Sequence, residues 1–395
     1  MKTDPTVDGL GELPEPFPDA PAALGEVLHG RWTVSEIHRG GQAWVLVVDD
    51  IGQADRRAIK VPLSGSLTGD AELAALLSLE RHPHIVTALD TASVDGRHGL
   101  MLEYVPTTLA ELLRQGHPAP ASGWPQLIPR LEVLQEICAG MDHLSAGAAF
   151  AHLDLKPSNV LIDGAGTAKV ADFGLAQQVL IRDDGHFSPA KGGTWAYAAP
   201  EVIRREPYDS RADIFSFGVL LYEAYTGRLP YPFALAPTPA RQRAQPLDYY
   251  RSTSPERRTE ELYYWEQTRS KMTQVPVVPP GEEISVIISS CLQVEMKKRP
   301  PHFENIAMML AEGLRIPRPR TETEPLPEID RQRRELTLGQ TLIRLGRFDE
   351  AVRRLNRLLV SSPPPPLSPV AWNALREALV GAGRGVEAAA LEGRW

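Results

Sequence analysis

The sequence predicts an α+β chain in two lobes followed by an all-α tail. A stretch of roughly 75 residues is first built from β-branched and aromatic runs separated by turn residues. Helical periodicity then dominates to about residue 316. The segment 332–395 finally carries two helix-rich stretches with small residues in the same order. Strands followed by helices point to segregated layers rather than to an alternating βαβ fold.

The first thirty residues are Pro-rich and acidic without an apolar run, so 1–30 is expected to be a flexible arm and not a signal peptide. "RWTVSEIHRGGQAWVLVVDD" and "RRAIKVPL" read as hairpin-linked strands. "DAELAALLSLERH" reads as a helix with Leu73, Leu76 and Leu77 on one face. "IVTALDTASVDGRHGLMLEYV" gives two more strands around the Asp95-Gly96 turn. "LAELLRQG", "LEVLQEICAGMDHLSA", "ADIFSFGVLLYEAYTG" and "FENIAMMLAEGL" read as helices. The strand-rich lobe is placed at 31–104 and the helical lobe at 105–316, with an insert at 232–275. The second half of that insert is expected to be a helix with a solvated face. The prolines and charges of "IPRPRTETEPLPEID" mark 317–331 as a linker.

At 395 residues, 43% apolar and 23% charged, the composition is that of a globular protein. A net charge of −8 argues against nucleic acid as a partner, because phosphate backbones are bound by clustered Lys and Arg. No apolar run reaches the roughly 20 residues of a membrane span. The two cysteines, Cys138 and Cys291, lie among apolar neighbours and are expected to pack in the core. A cytoplasmic location follows as the simplest expectation, and the Ala-, Arg- and Pro-rich composition hints at a bacterial source.

"AHLDLKPSNVL" sets His152, Asp154, Lys156 and Asn159 close together, the carboxylate, ammonium and amide that a phosphate-handling site needs. "ADFGLA" follows at 171–176 and "TWAYAAPE" at 194–201, while "AIK" precedes them at 58–60. This ordered series resembles the eukaryotic-like serine/threonine protein kinases over about residues 31–316. The resemblance implies a bilobal fold using ATP and Mg²⁺, with Mn²⁺ as an alternative, and acting on protein substrates. It makes Lys60 the lysine on the nucleotide phosphates and Glu72 its carboxylate partner, with Glu80 a solvated alternative. It makes Asp154 the base, Lys156 the steadying cation on the γ-phosphate, and Asn159 and Asp172 the metal ligands. The nucleotide would lie against Gly40, Gly41, Val45, Ala58, Lys60 and Leu161, with the backbone of Glu103 and Val105 holding adenine. His152 and Phe173 are expected to pack rather than react. An ion pair between Glu201 and Arg299, and an anchoring role for Asp213, are implied as structural features.

Two departures from the family pattern stand out. In "IHRGGQAWV" the three family glycines fall at His38, Gly40 and Ala43, so the middle one alone remains. Leu153 occupies the place where many of these kinases carry the arginine that receives an activation-loop phosphate. Ser188 and Thr194 are the few hydroxyls of that loop, Thr194 matching a structural position, and the cations that could substitute, Lys191 and Arg182, lie on the loop itself. An active enzyme without activation-loop control is therefore expected. A pseudokinase scaffold and a small-molecule kinase are the alternatives; "TWAYAAPE" counts against the latter.

In the tail, "LGQTLIRLGRFDEAVRRLNRLLVSSP" and "AWNALREALVGAGRGVEAAALEGRW" resemble the tetratricopeptide repeat, a helix–turn–helix unit of about 34 residues. The second copy departs at Arg376, where the motif has glycine. Such repeats need about three copies to bury a continuous core. Either the pair is expected to dock on the lobes through its apolar face, or further repeats are expected beyond Trp395, and a protein partner could bind through it.

Overall fold

Residues 32–35 alternate large apolar and polar side chains and 43–48 are apolar throughout, which suits two strands lying against a core. The computed structural model describes residues 19–40, 43–63, 77, 81–115, 132–148, 150–173, 177–178, 196–204, 206–227, 229–230, 283–317, 319, 328–361, 363–364 and 367–391. Its first layer is a six-stranded antiparallel sheet of β1 (Val27–Leu28), β2 (Trp32–Arg39), β3 (Ala43–Asp50), β4 (Arg56–Pro62), β5 (Ala88–Val94) and β6 (Arg97–Glu103). The spatial order is β1-β2-β3-β4-β6-β5, which leaves β5 at an edge. The β5–β6 hairpin turns at Asp95 and Gly96, with φ 50° and 69°, the left-handed pair that a two-residue turn requires.

Register separates the sheet's two faces. Trp44 lies opposite Val61, Leu46 opposite Ile59 and Ile59 opposite Met101, and these residues join Trp32 and Val34 in a small apolar core. Val45 lies opposite Lys60, Lys60 opposite Leu100 and Ala58 opposite Leu102, so these side chains share the other face. The expected nucleotide-facing residues of the sheet thus stand together.

The helical lobe comprises α1 (Leu109–Gln115), α2 (Glu132–Ala148), α3 (Pro200–Ile203), α4 (Arg211–Thr226), α5 (Glu283–Cys291) and α6 (Phe303–Gly313). It also holds β7 (Thr107–Thr108), β8 (Phe150–Ala151), β9 (Val160–Ile162), β10 (Ala168–Val170) and β11 (Gln177–Gln178), paired as β10-β9-β7 and β11-β8. Helix α4 is apolar around most of its circumference, with Ile214, Phe215, Phe217, Val219, Leu220 and Leu221 fully buried. At Gly218 a Cβ would meet Cys291 Cβ at 2.6 Å, so only glycine lets α4 and α5 approach this closely. Cys138 and Cys291 are both buried, as expected for core packing, and burial pushes the Cys291 thiol up to about 12.

Residues 81–86 join the lobes. Val86 N–H donates to Val170 O and Val170 N–H to His84 O, each at 2.9 Å. Gly140 of α2 lies so close beneath that an added Cβ would fall 2.5 Å from His84 O. His82 stacks on His143 at 4.8 Å between ring centres. Burial, with the charges of His143, His84 and Lys169, lowers its pKa to about 3.

The tail forms α7 (Glu328–Arg344), α8 (Phe348–Val360), α9 (Leu367–Gly381) and α10 (Gly385–Ala389). Helix α7 starts at Glu328, inside the segment expected to be linker. The amide of Gln332, itself buried, donates to Ser361 O at 3.3 Å and ties that early turn to the end of α8. The two halves end their first helices alike: Gly346 and Gly383 have φ 72° and 74°, and Arg347 and Arg384 N–H reach back to Leu342 O and Leu379 O. A Cβ at Gly339 would lie 2.5 Å from Leu355, so this glycine permits the α7–α8 crossing. Its counterpart Arg376 is exposed, because α10 is too short to cover it. Helix α7 packs against β5, and the apolar core of the helical lobe continues without a break through Leu336, Leu338, Leu342 and Leu355. At this junction burial, then the charge of Arg81, lowers the pKa of Arg334. Of the first helix only Leu77 is described, buried in the same core. The insert at 232–275 lies outside the described residues, as do Leu73 and Leu76.

Candidate active site

The 151–173 segment carries His152, Asp154, Lys156, Asn159 and Asp172 among buried apolar residues such as Leu155, Val160 and Phe173. Its backbone is held by a buried carboxylate: Asp213 of α4 accepts His152 N–H at 2.7 Å and Leu153 N–H at 2.8 Å. Burial raises the pKa of Asp213, and the neighbouring His152 ring and the two backbone bonds oppose that rise. Leu153 needs such an anchor. Its φ is 64°, a conformation costly for a branched side chain, and it persists because its surroundings over-determine it. The Leu153 side chain is buried in the core.

His152 is fully buried as well. Its Nδ1 accepts Asp154 N–H at 3.3 Å, so Nε2 carries the proton and donates to Ala171 O at 3.0 Å. The ring packs 5.0 Å from that of Phe173, itself buried. Both residues pack, as expected.

These anchors aim three polar side chains at one point. Lys156 Nζ donates to Asp154 Oδ2 at 2.6 Å. Asn159 Nδ2 donates to the same oxygen at 3.0 Å and to Asp154 O at 2.9 Å. Asn159 O in turn accepts Ala171 N–H at 2.8 Å, fixing the residue before Asp172. Asp172 has φ 65° and accepts Lys60 Nζ on Oδ1 at 2.7 Å, an ion pair that crosses between the lobes. Burial works against its ionisation, yet the charge and hydrogen bond of Lys60, aided by Lys156 and His152, hold its pKa well below the carboxylate range. Its side chain stays 43% exposed, leaving the carboxylate open to a cation. Asp172 and Asn159 offer hard oxygen donors, which suit Mg²⁺.

Glu201 and Arg299 form the implied ion pair, with Arg299 Nη1 and Nη2 donating at 2.5 and 2.8 Å. Arg299 also donates to Gln293 O and Arg211 O and lies over the Phe215 ring.

The family profile described as "Protein kinase domain" matches residues 36–310. The chain belongs to the protein kinase family. CBL-interacting protein kinase 4 of Oryza sativa subsp. japonica is 35% identical over 218 residues, covering 52% of this kinase and 47% of the relative. Serine/threonine-protein kinase 12 of Arabidopsis thaliana is 37% identical over 161 residues, covering 40% and 33%. The probable serine/threonine-protein kinase PknB of Lactococcus lactis is 31% identical over 222 residues, covering 53% and 33%. The kinase thus spans less than half the length of these relatives.

Of the residues singled out in the sequence, Lys60 is bonded to Asp172, and Lys156 and Asn159 are bonded to Asp154; the backbone bond from Ala171 N–H to Asn159 O links the two groups. Val45 and Ala58 share the Lys60 face of the sheet, and Gly40 closes the β2–β3 hairpin by donating to Ala43 O at 2.8 Å. Leu161 lies on β9 opposite Lys169, and Glu103 ends β6 two residues before Val105. Glu72, Glu80, Gly41, Ser188, Thr194, Lys191 and Arg182 lie outside the described residues. No helix among the described residues is long and apolar enough to cross a membrane.

One contributor was missed. The Glu103 side chain accepts Thr87 N–H at 2.7 Å and Lys169 Nζ at 3.1 Å. A lysine inside the apolar strand "AKV" was the available signal.

Proposed function

We propose that this chain is an active, ATP-dependent serine/threonine protein kinase of the cytoplasm. Two bonded groups carry the reading: Lys60 on Asp172, and Lys156 with Asn159 on Asp154. Phosphoryl transfer is chiefly a matter of positioning and charge neutralisation. Mg²⁺ bound with ATP would supply neutralisation between the phosphates. Asn159 and Asp172 would hold that ion with oxygen donors. Lys60 would hold the α/β-phosphate oxygens and Lys156 the γ-phosphate. Asp154, steadied by Lys156 and Asn159 on Oδ2, would orient a protein hydroxyl and accept its proton.

Leu153 stands where a phosphate-receiving arginine would, and its side chain faces the core. A phosphoryl group orders a segment only where a cation can receive it. We therefore assign control to the tail, read as a tetratricopeptide-like pair that regulates the kinase or recruits a protein partner. Its packing on edge strand β5 supports that role. A pseudokinase scaffold is the second reading, favoured by His38 and Ala43 in place of glycines. Radiolabelled ATP separates the two. The active kinase labels itself or generic protein substrates, and Asp154→Asn abolishes that labelling; a scaffold gives no label with either form.

A further inference from the structure

Glu103 stands at the end of β6, where the chain leaves the sheet and passes between the lobes. Its bonding is reciprocal with β5's approach. Glu103 N–H donates to Thr87 O at 3.0 Å, while its side chain accepts Thr87 N–H at 2.7 Å. The same carboxylate receives Lys169 Nζ at 3.1 Å. Lys169 belongs to β10 of the other lobe, and that strand leads directly into Asp172. The side chains of Lys169 and Glu103 are 15% and 26% exposed, so solvent and salt screen this pair less than a surface pair.

Resting on the kinase reading above, we propose that Lys169 is a positioning residue for nucleotide recognition. Its ammonium fixes the Glu103 carboxylate, which fixes the peptide around Glu103 that faces the base. The backbone N–H of Glu103 is already committed to Thr87. The adjoining carbonyl and the Val105 amide are therefore the groups the clamp leaves for adenine. Without the Lys169 charge, the Glu103 carboxylate has every reason to turn to water, and Thr87 N–H loses its acceptor. The effect falls on the base and spares the phosphates, which Lys60 and Lys156 hold.

The test uses the full chain and two probes, ADP and inorganic tripolyphosphate, whose affinities are measured by calorimetry. Lys169→Met keeps the aliphatic stem and removes the charge. It should weaken ADP about five- to tenfold, equivalent to ~1–1.4 kcal/mol, and leave tripolyphosphate unchanged. Lys169→Arg should restore ADP affinity to within about twofold, and in kinase assays the methionine variant should raise KM for ATP more than it lowers kcat. Unchanged ADP affinity, equal weakening of both probes, or no rescue by arginine overturns the proposal. If the wild-type protein binds no ADP, the active-kinase reading falls with it. If wild type binds ADP and Lys169→Met binds it equally well, the proposal alone falls.

Discussion

The described residues form two apolar cores, and the candidate site draws side chains from beside both. The smaller one, under the outer face of the β2–β4 sheet, carries Lys60 on a strand that pairs on both sides. The larger one runs from the helical lobe into the tail and carries Asp154, Asn159 and Asp172. On the larger core the backbone of the 152–171 segment is tied to buried groups: Asp213 holds Leu153, and His152 holds Ala171. On the smaller one Gly40 N–H donates to Ala43 O, a bond between near neighbours in the chain. The residues expected to do chemistry on the larger core are thus held by groups distant in sequence, whereas the described part of the Gly40 turn is closed locally by backbone.

The largest effect should come from separating the larger core. Segment 328–395 alone exposes the α7 face that lies on β5 and should lack a cooperative thermal transition. A sharp melting curve from that fragment would show that the tail folds by itself. Next is Asp154→Asn, expected to lower turnover roughly 10²–10⁴-fold while ADP binding persists. Near-normal turnover would remove Asp154 as the base.

Arg299→Met leaves Glu201 buried without its cation and should cost about 3–5 kcal/mol of stability, read as a shift in denaturant midpoint. A cost under ~1 kcal/mol would mean the pair adds little to the larger core. A smaller, pH-dependent effect is expected at Glu223, whose pKa burial pushes up to about 7 against the bond from Tyr197. A carboxyl that binds its proton more tightly in the folded state favours folding at low pH, and this contribution is lost as pH rises from about 4.5 to about 7. Glu223→Gln should therefore be more stable relative to wild type at pH 8 than at pH 5, by on the order of 2 kcal/mol. An offset that is the same at both values would show that Glu223 does not titrate in this window. The smallest effect is expected from phosphatase treatment or Ser188→Ala. Each should change turnover less than about tenfold, or ~1.4 kcal/mol on the barrier, and a larger loss would make the activation loop a switch.

Much of the site was legible because phosphoryl transfer demands particular residue types at short spacings. Asp154, Lys156 and Asn159 lie within one loop, so their meeting follows from local geometry. The Glu201–Arg299 pair and the Asp213 anchor were accessible only through resemblance, since their partners are distant in the chain. The Glu103–Lys169 clamp escaped notice because neither residue is unusual by itself. The early start of α7 was hidden because the "PLPEID" composition reads as linker, and only the bond from Gln332 to Ser361 shows why helix wins there.

Local pattern alone determined the strand and helix periods and the Asp95-Gly96 turn, because each depends on residues a few positions apart. Tertiary structure decided the rest. It set Leu153 in a left-handed conformation with its side chain in the core, and it seated the tail on β5. The reason is common to both outcomes. Burying a polar backbone or an apolar face requires a partner, and that partner, Asp213 for the loop and β5 for α7, comes from a distant part of the chain.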